Sequence, residues 1–569
     1  MCNGTVFQRW QVDALNELKE HGHSLVLLIR DARKTSETSR FRQLLKKKWN
    51  TFLYTFLENR VFKPDARRMS DIHRKLQGID ILDCCVEQKG YSEYFTQADI
   101  KAVGSYQLDF ILRFGFNIIR GDILAAARCG VWSFHHDDEI KYRGGPAGFW
   151  EIFNGDPVNG AILQQLTHKL DGGFILKKGY LKTIMHSYRG NLEQLLSVTS
   201  SWPALVADAM VSNPGVVFAA SHTTAPIYKV PGNWLMARFL FKLFLNRVKF
   251  HSNDLLSAED WNVGLIMKPI HEVALGIGIL KKTEIAWIRR GSRNKYLADP
   301  SGFIENNKLH ILAEEYSYPK KKAIISEIVW DIDPVRVFDP VRVSDPVRVI
   351  EAEDHLSYPF VIKHQGQVYC LPESYQSGKI TLYRRDPATG TFVKEKILVD
   401  NMEAVDPTLY FYNSSWWLFF TIKKYSATHL FIYHAAEITG EYMPHCCNPM
   451  KIDVRSARPA GTPFIHNGLL YRPAQDCSVT YGGRVVINHV VKLDEHEFEE
   501  QPVKSVGPVA DTKYNRGLHT ISGINEFTLI DGKRYRFNPF FFRNQLRKKL
   551  IKNGFGKCLK KYWGPSAPG

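Results

Sequence analysis

The feature that most constrains this chain is a loose repeat in its second half. Five segments begin at Ala298, Ser357, Val405, Ala457 and Leu518. The first four place a proline just before an apolar run, followed by a polar or glycine turn and a second apolar run; the fifth lacks the proline. Starts fall 59, 48, 52 and 61 residues apart, the size of one sheet of antiparallel strands. Repeated hairpins of this length predict propeller blades, and five units predict a five-bladed β-propeller over 284–537. Residues just before each first strand then gather at the central axis. Asp299, Glu373, Asp406, Arg458, Asp476 and His519 occupy such loop or strand-start positions. Converging acids with an arginine and a histidine suit recognition of a sugar, including a phosphorylated one. The structural alternative is that Asp-Pro and Arg-Pro pairs only shape the blade turns.

The first half has a different rhythm. Val6–Lys19 reads as a helix, Leu25–Ile29, Ile79–Val86 and Asp109–Phe116 read as strands, and Ile123–Ala127 starts a helix. Alternating strands and helices predict an α/β domain with a mainly parallel sheet over 1–213. Such a domain usually opens with a strand, but here Met1 is followed almost at once by a loop-like Cys2–Thr5 and then the helix, so either the first strand is absent or the chain starts late. Residues 214–283 read as a helical bridge. Within it Asn233–Phe250 is both apolar and basic, which fits either an interfacial membrane helix or a clamp between domains. Residues 538–569 form a basic tail. Ile332–Val349 carries three DPVRV copies, a duplicated loop to which no chemistry is assigned.

The net charge of +17 favours acidic partners such as anionic glycans, nucleotides or lipid surfaces. Zinc-finger spacing and RNA-binding aromatic signatures are absent from the sequence, which weighs against nucleic acid. Nine scattered cysteines show no CxxC or metal-ligand spacing, so no metal is expected and a reducing compartment fits. With no signal-peptide pattern and no run of about 18 apolar residues, the expectation is a cytoplasmic protein with peripheral membrane contact through Asn233–Phe250. Oligomeric state stays open.

The stretch Val131–Leu176 joins polar groups to flanking apolar strands. It reads as a loop-borne site, with His135 and His136 ahead of Asp137, Asp138 and Glu139. His135, Tyr142-Arg143-Gly144-Gly145-Pro146, Gly155, Gly160 and Leu170-Asp171-Gly172-Gly173 occur in an order that resembles the formyltransferase superfamily over residues 1–210. The resemblance implies a Rossmann-like fold and transfer of a formyl group from formyl-tetrahydrofolate to an amine, such as that of an amino sugar or sugar nucleotide. It casts His135 as the group that takes the amine proton, Asp171 as its orienter, and Ser133 at the position of the family's oxyanion-stabilising asparagine. It places the acceptor near His136, Tyr142, Arg143 and Gly144, and the folate along Phe114, Gly115, Phe116 and Asn117. Ser133 departs from the family pattern, and so do the acids after His136.

Leu356–Phe360, Leu371-Pro372-Glu373, Val405–Thr408, Asp453–Gly461, Tyr471–Asp476 and Gly517–Thr520 resemble the propeller domain of glucosamine inositolphosphorylceramide transferases over 284–532. That architecture is also similar to certain glycoside hydrolases, which use a carboxylic acid and a carboxylate across a sugar bond. Two readings follow. One is a formyltransferase-like enzyme whose propeller holds the glycan. The alternative is a glycan-binding or hydrolase-like propeller with a catalytically degenerate first domain.

Overall fold

The computed structural model describes residues 1–33, 37–72, 76–169, 172–276, 280–331, 343–350 and 352–551. Most of the DPVRV repeat and Asp171 lie outside the described residues. The chain divides into two compact units, Met1–Arg247 and Val248–Gly569.

The first unit is α/β. Its strands follow the apolar runs: Leu27–Asp31 pairs in parallel with Asp80–Cys84, and Ile111–Arg113 with Val131–His135. Met1 and Cys2 lie between these pairs. The Met1 amine donates to Leu112 O (2.8 Å), Met1 O accepts from Phe114 N (2.9 Å), and Cys2 N donates to Ile29 O (3.0 Å). Beyond Val131–His135 the sheet turns antiparallel, through Val158–Gln165 and Phe174–Lys182. It is therefore mixed rather than mainly parallel. The expected helix at Ile123–Ala127 is a single 3-10 turn, Asp122–Ala125. The stretch read as a loop at His135 is the end of a buried strand, since Val131, Trp132 and Ser133 are covered on both faces.

Among the described residues the second unit contains five antiparallel sheets, four of four strands and one of five, the blades of a β-propeller. The first four run consecutively: Lys295–Arg348, Ser357–Val399, Ala404–Pro444 and Phe464–Val506. The fifth is composite. Ile521–Ile524 and Phe527–Arg536 supply its two inner strands, while Ala258–Ile266 and Ile285–Trp287 supply the outer two. Nine residue pairs from Ala258↔Arg536 to Ile266↔Thr528 join the two ends. Part of the segment read as a bridge is thus a propeller strand, buried along almost its whole length.

The prolines explain the inner strands. Pro300, Pro359 and Pro407 cannot donate to the ladder, and each sits in a bulge where the register slips: Ala298/Ser301, Ser357/Phe360 and Val405/Thr408. The residue before each proline takes positive φ: Asp299 (+51°), Tyr358 (+45°) and Asp406 (+51°). Three non-glycine residues held in this region at equivalent positions mark a shared constraint. Apolar side chains fill the space between blades, as where Phe360, Leu371 and Leu382 meet Leu409, Leu418 and Trp416.

The composite blade gives a direct expectation. A fragment spanning 248–551 should unfold cooperatively in urea. One spanning 284–551 lacks the strand Ala258–Ile266 and should show no cooperative transition.

Candidate functional site

In the α/β unit the residues expected to form a transfer site are engaged by their own chain. Ser133 Oγ accepts from Arg113 Nε (3.1 Å) and Nη2 (2.9 Å). His135 Nε2 lies 3.1 Å from Tyr142 O, and His136 Nε2 lies 3.0 Å from Thr199 Oγ1. The His136 ring is wedged between Trp10 and Phe134, and burial pushes it down to about 3, so it is neutral at physiological pH. Tyr142 stacks at a tilt on Tyr228, Arg143 donates to Ala225 O, and Gly144 (φ +93°) has Tyr228 O so close that any Cβ would collide with it. These three residues thereby hold the segment Ala225–Tyr228.

The expected folate loop is likewise filled. Phe114 belongs to an aromatic cluster with Phe7, Trp10 and Phe134. Gly115 abuts Asn3 and the Cys2 backbone. Phe116 (φ +64°) packs on Phe95, and Asn117 donates twice to Glu93, from its backbone (2.7 Å) and its amide (2.9 Å). The acids after His136 turn inward. Asp138 and Glu139 pair with Lys178, while Asp137 accepts from Gly148 N (2.8 Å). Burial, followed by the Glu151 charge, holds Asp137 well above the usual carboxylate range.

The propeller axis is where the blades bring chemistry together. Each blade contributes a residue on or just before its innermost strand and a second from the neighbouring strand. The first members are Asp299, Tyr358, Asp406, Arg458 and His519. The second are Glu314, Glu373, Thr421, Gln475 and Asp531. The register explains the pairing: Ala298 faces Glu314, Ser357 faces Glu373, Val405 faces Thr421, and Gln475 N donates to Arg458 O. All ten side chains are buried.

Two charged clusters span blades. In one, His519 lies between carboxylates, Nε2 3.0 Å from Asp299 Oδ1 and Nδ1 2.6 Å from Asp531 Oδ2. Asp531 Oδ1 also accepts from the backbone N–H groups of His519 (2.9 Å) and Thr520 (3.1 Å), and Asp531 Oδ2 accepts from Asp299 N (3.1 Å). Burial alone would lower His519, but the charges of Asp531 and Asp299 outweigh it and hold the imidazolium well above the usual histidine range. Burial would raise Asp299, yet the His519 charge, with hydrogen bonds from His519 and Thr520, keeps it down at about 2. The three ligand-type atoms lie close enough for a metal.

In the other cluster Arg458 grips Asp406 with two bonds, Nε to Oδ2 (2.5 Å) and Nη2 to Oδ1 (3.1 Å), and Gln475 Nε2 donates to Asp406 Oδ2 (2.7 Å). Glu373 Oε2 accepts from Asp406 N (3.0 Å). Burial and the Asp406 charge push Glu373 up to about 8, against the opposing pull of Arg458. Burial and the Asp299 charge hold Glu314 well above its usual range. Protonated glutamates therefore stand beside charged aspartates, the separation of protonation states that acid–base chemistry needs. Aromatic faces border the clusters: Trp261 lies 4.0 Å from the His519 ring, and Tyr481 lies under Arg458 and edge-on to His519.

Of the expected propeller residues, Asp299, Glu373, Asp406, Arg458 and His519 meet on the axis. Asp476 does not. It caps a turn through Ser478 N (2.9 Å), and its neighbour Gln475 takes the axial place because successive strand residues face opposite sides. Glu314, Gln475, Asp531 and Tyr481 are axial residues that sequence reasoning missed. The repeat held a signal for one of them: Glu314 follows Asp299 by the same 15 residues that separate Glu373 from Tyr358.

Residues 283–529 match a family model described as glucosamine inositolphosphorylceramide transferase 1, N-terminal. The protein of that name from Oryza sativa subsp. japonica is 32% identical over 222 residues, covering 37% of this chain and 28% of that protein. Its Arabidopsis thaliana namesake is 27% identical over 281 residues, covering 44% and 34%. The chain thus spans about a third or less of these relatives' length. Among solved structures, a family 117 glycoside hydrolase from Zobellia galactanivorans aligns at 12% identity and TM-score 0.32, over 49% of this chain and 91% of that one. A family 43 enzyme from Xanthomonas citri aligns at 13% identity and TM-score 0.31, over 42% and 89%.

The matched segment lies in the propeller unit, and its relatives bear the name of a glucosamine transferase rather than a one-carbon transferase. The expected formyl transfer, and formyl-tetrahydrofolate as its donor, are overturned on that finding. The filled loop at Phe114–Asn117 and the occupied Ser133 hydroxyl agree with the correction.

The buried Glu373 yields a pH test. Its carboxyl holds a proton more tightly in the folded chain than in the unfolded one. The stability this contributes is complete below the unfolded value of about 4.3 and is lost as pH rises toward the folded value. Glu373→Gln cannot ionise. Between about pH 5 and about pH 9 its melting temperature should therefore fall less than that of the wild type, by a few degrees; parallel melting curves would contradict the buried protonated acid.

Proposed function

We propose that the propeller axis binds a sugar and that the chain acts on glycans, as a glycan-binding or glycoside-hydrolase-like protein. The observation that carries this reading is the buried axial cluster, where Asp299 is held ionised while Glu314 and Glu373 are held protonated. Sugar hydroxyls need both donors and acceptors in fixed places, and Arg458, Gln475, Asp406 and the glutamates supply both. Tyr481, 36% exposed, offers an aromatic face for a sugar ring. The relatives' name makes an amino sugar the first ligand to test, since its ammonium complements Asp299 and Asp406. Where a glycosidic bond is broken or exchanged, a protonated Glu373 is suited to donate to the leaving oxygen. Ionised Asp299 is suited to stabilise positive charge or activate the incoming hydroxyl.

Calorimetric titration of the full chain with glucosamine, N-acetylglucosamine and short glycans containing them tests this. Wild type should bind at least one of them, and Asp406→Asn should weaken that binding by roughly tenfold or more, the cost of losing a charge-assisted hydrogen bond. Binding unaffected by Asp406→Asn, or no binding to any member of the panel, contradicts the proposal.

A further inference from the structure

Two neighbouring helices turn apolar faces outward within the α/β unit, which ends at Arg247. Helix Asn233–Leu256 buries Met236 and Phe239 among Tyr54, Phe149 and Tyr188. Its opposite stripe is exposed: Trp234 is 77% accessible, Phe241 65% and Leu245 50%. These positions fall seven and eleven residues after the first, which is one helical face about 17 Å long at 1.5 Å per residue. Phe244, on the edge of that stripe, is 61% accessible. Helix Glu37–Arg60 lies alongside, tied by Asn233, which accepts from Leu53 N (3.0 Å) and donates to Trp49 O. It adds exposed Trp49 and the stacked rings of Phe52 and Phe56. So large an exposed aromatic surface is uncommon on a monomer and marks an interaction site.

Charge identifies the occupant. Arg238 and Arg247 are exposed around the stripe, the helix has no acidic residue before Asp254, and the whole chain carries +17. Tryptophan and phenylalanine beside a basic rim, on a helix whose other face is fixed in a protein core, match the interface of an anionic membrane. Among the described residues no helix is long and apolar enough to cross a bilayer, and Met236 and Phe239 pin this one in the fold. We propose that the outward faces of residues 49–60 and 233–247, each part of a helix of the α/β unit, dock on an anionic phospholipid bilayer, with the second helix lying in the interfacial plane and its aromatic stripe among the headgroups. Protein already bound to a lipid surface would meet membrane-anchored glycans without a three-dimensional search.

The test is flotation of the full chain with vesicles of phosphatidylcholine alone and of equal parts phosphatidylcholine and phosphatidylserine. Wild type should float with the mixed vesicles and far less with the neutral ones. The Phe241→Ser/Leu245→Ser double variant should bind the mixed vesicles at least about tenfold more weakly. Arg238→Glu/Arg247→Glu, which alters only exposed positions, should abolish the preference for phosphatidylserine. Three results overturn the proposal. One is no flotation of wild type. Another is undiminished binding by both variants. The last is light scattering showing a lipid-free wild-type dimer that Phe241→Ser/Leu245→Ser converts to monomer, which would assign the stripe to a second copy of the chain. Sugar binding at the propeller is read separately and is expected to be unchanged in both variants.

Discussion

The second unit depends on one ladder, Ala258–Ile266 against Phe527–Arg536. A propeller made from a single chain has two ends to join, and unjoined ends would leave open strand edges. Here the ladder joins strands more than 250 residues apart in sequence, and the cost of closing so long a loop grows only slowly with its length. The same ladder positions Asp531, whose carboxylate fixes the His519 and Thr520 backbone and the Asp299 amide of the next blade. Closing the ring and building the axial site are therefore one event.

The axis is expensive to build. Several ionisable side chains are taken out of water there, and each isolated charge would cost several kcal/mol or more. The fold meets this cost in two ways. Asp406 with Arg458, and Asp299 with Asp531 around His519, neutralise one another at short range. Glu314 and Glu373 instead keep their protons. Neither solution is the cheapest for stability, since apolar residues of the same size would fill an axis without desolvating charge. Strained positive-φ backbone at Asp299, Tyr358 and Asp406 adds to the cost. The ion pairs tie neighbouring blades together, and the mixed protonation states give the axis both the donors and the acceptors that the proposed sugar ligand would need.

Much of this was legible in the sequence, and what escaped did so for physical reasons. The X-Pro pairs marked Asp299, Asp406 and Arg458 because proline breaks the ladder wherever it falls. Glu314 and Asp531 were hidden because each lies on the second strand of its hairpin, away from the X-Pro pairs, among other charged residues (Glu315; Lys533 and Arg534) from which sequence alone does not separate it. Asp476 was misplaced by a single residue, which in a strand means the wrong face. Ala258–Ile266 read as part of a bridge because its partner strand lies at the far end of the chain. In the α/β unit the error went the other way. The polar string after Phe134 read as an exposed loop, whereas Asp137, Asp138 and Glu139 are buried and His136 is shielded by Trp10 and Phe134. Hydropathy records what a side chain prefers and not the partners it finds.

The central claim is that sugar binds where the blades converge. A crystal structure of the full chain soaked with glucosamine tests it most directly. The account predicts density for the sugar on the propeller axis, within hydrogen-bonding distance of Asp299 or Asp406 and with its ring against Tyr481. A sugar bound elsewhere, with the Asp406–Arg458 and Asp299–His519–Asp531 contacts undisturbed and the axis closed to it, would contradict that claim.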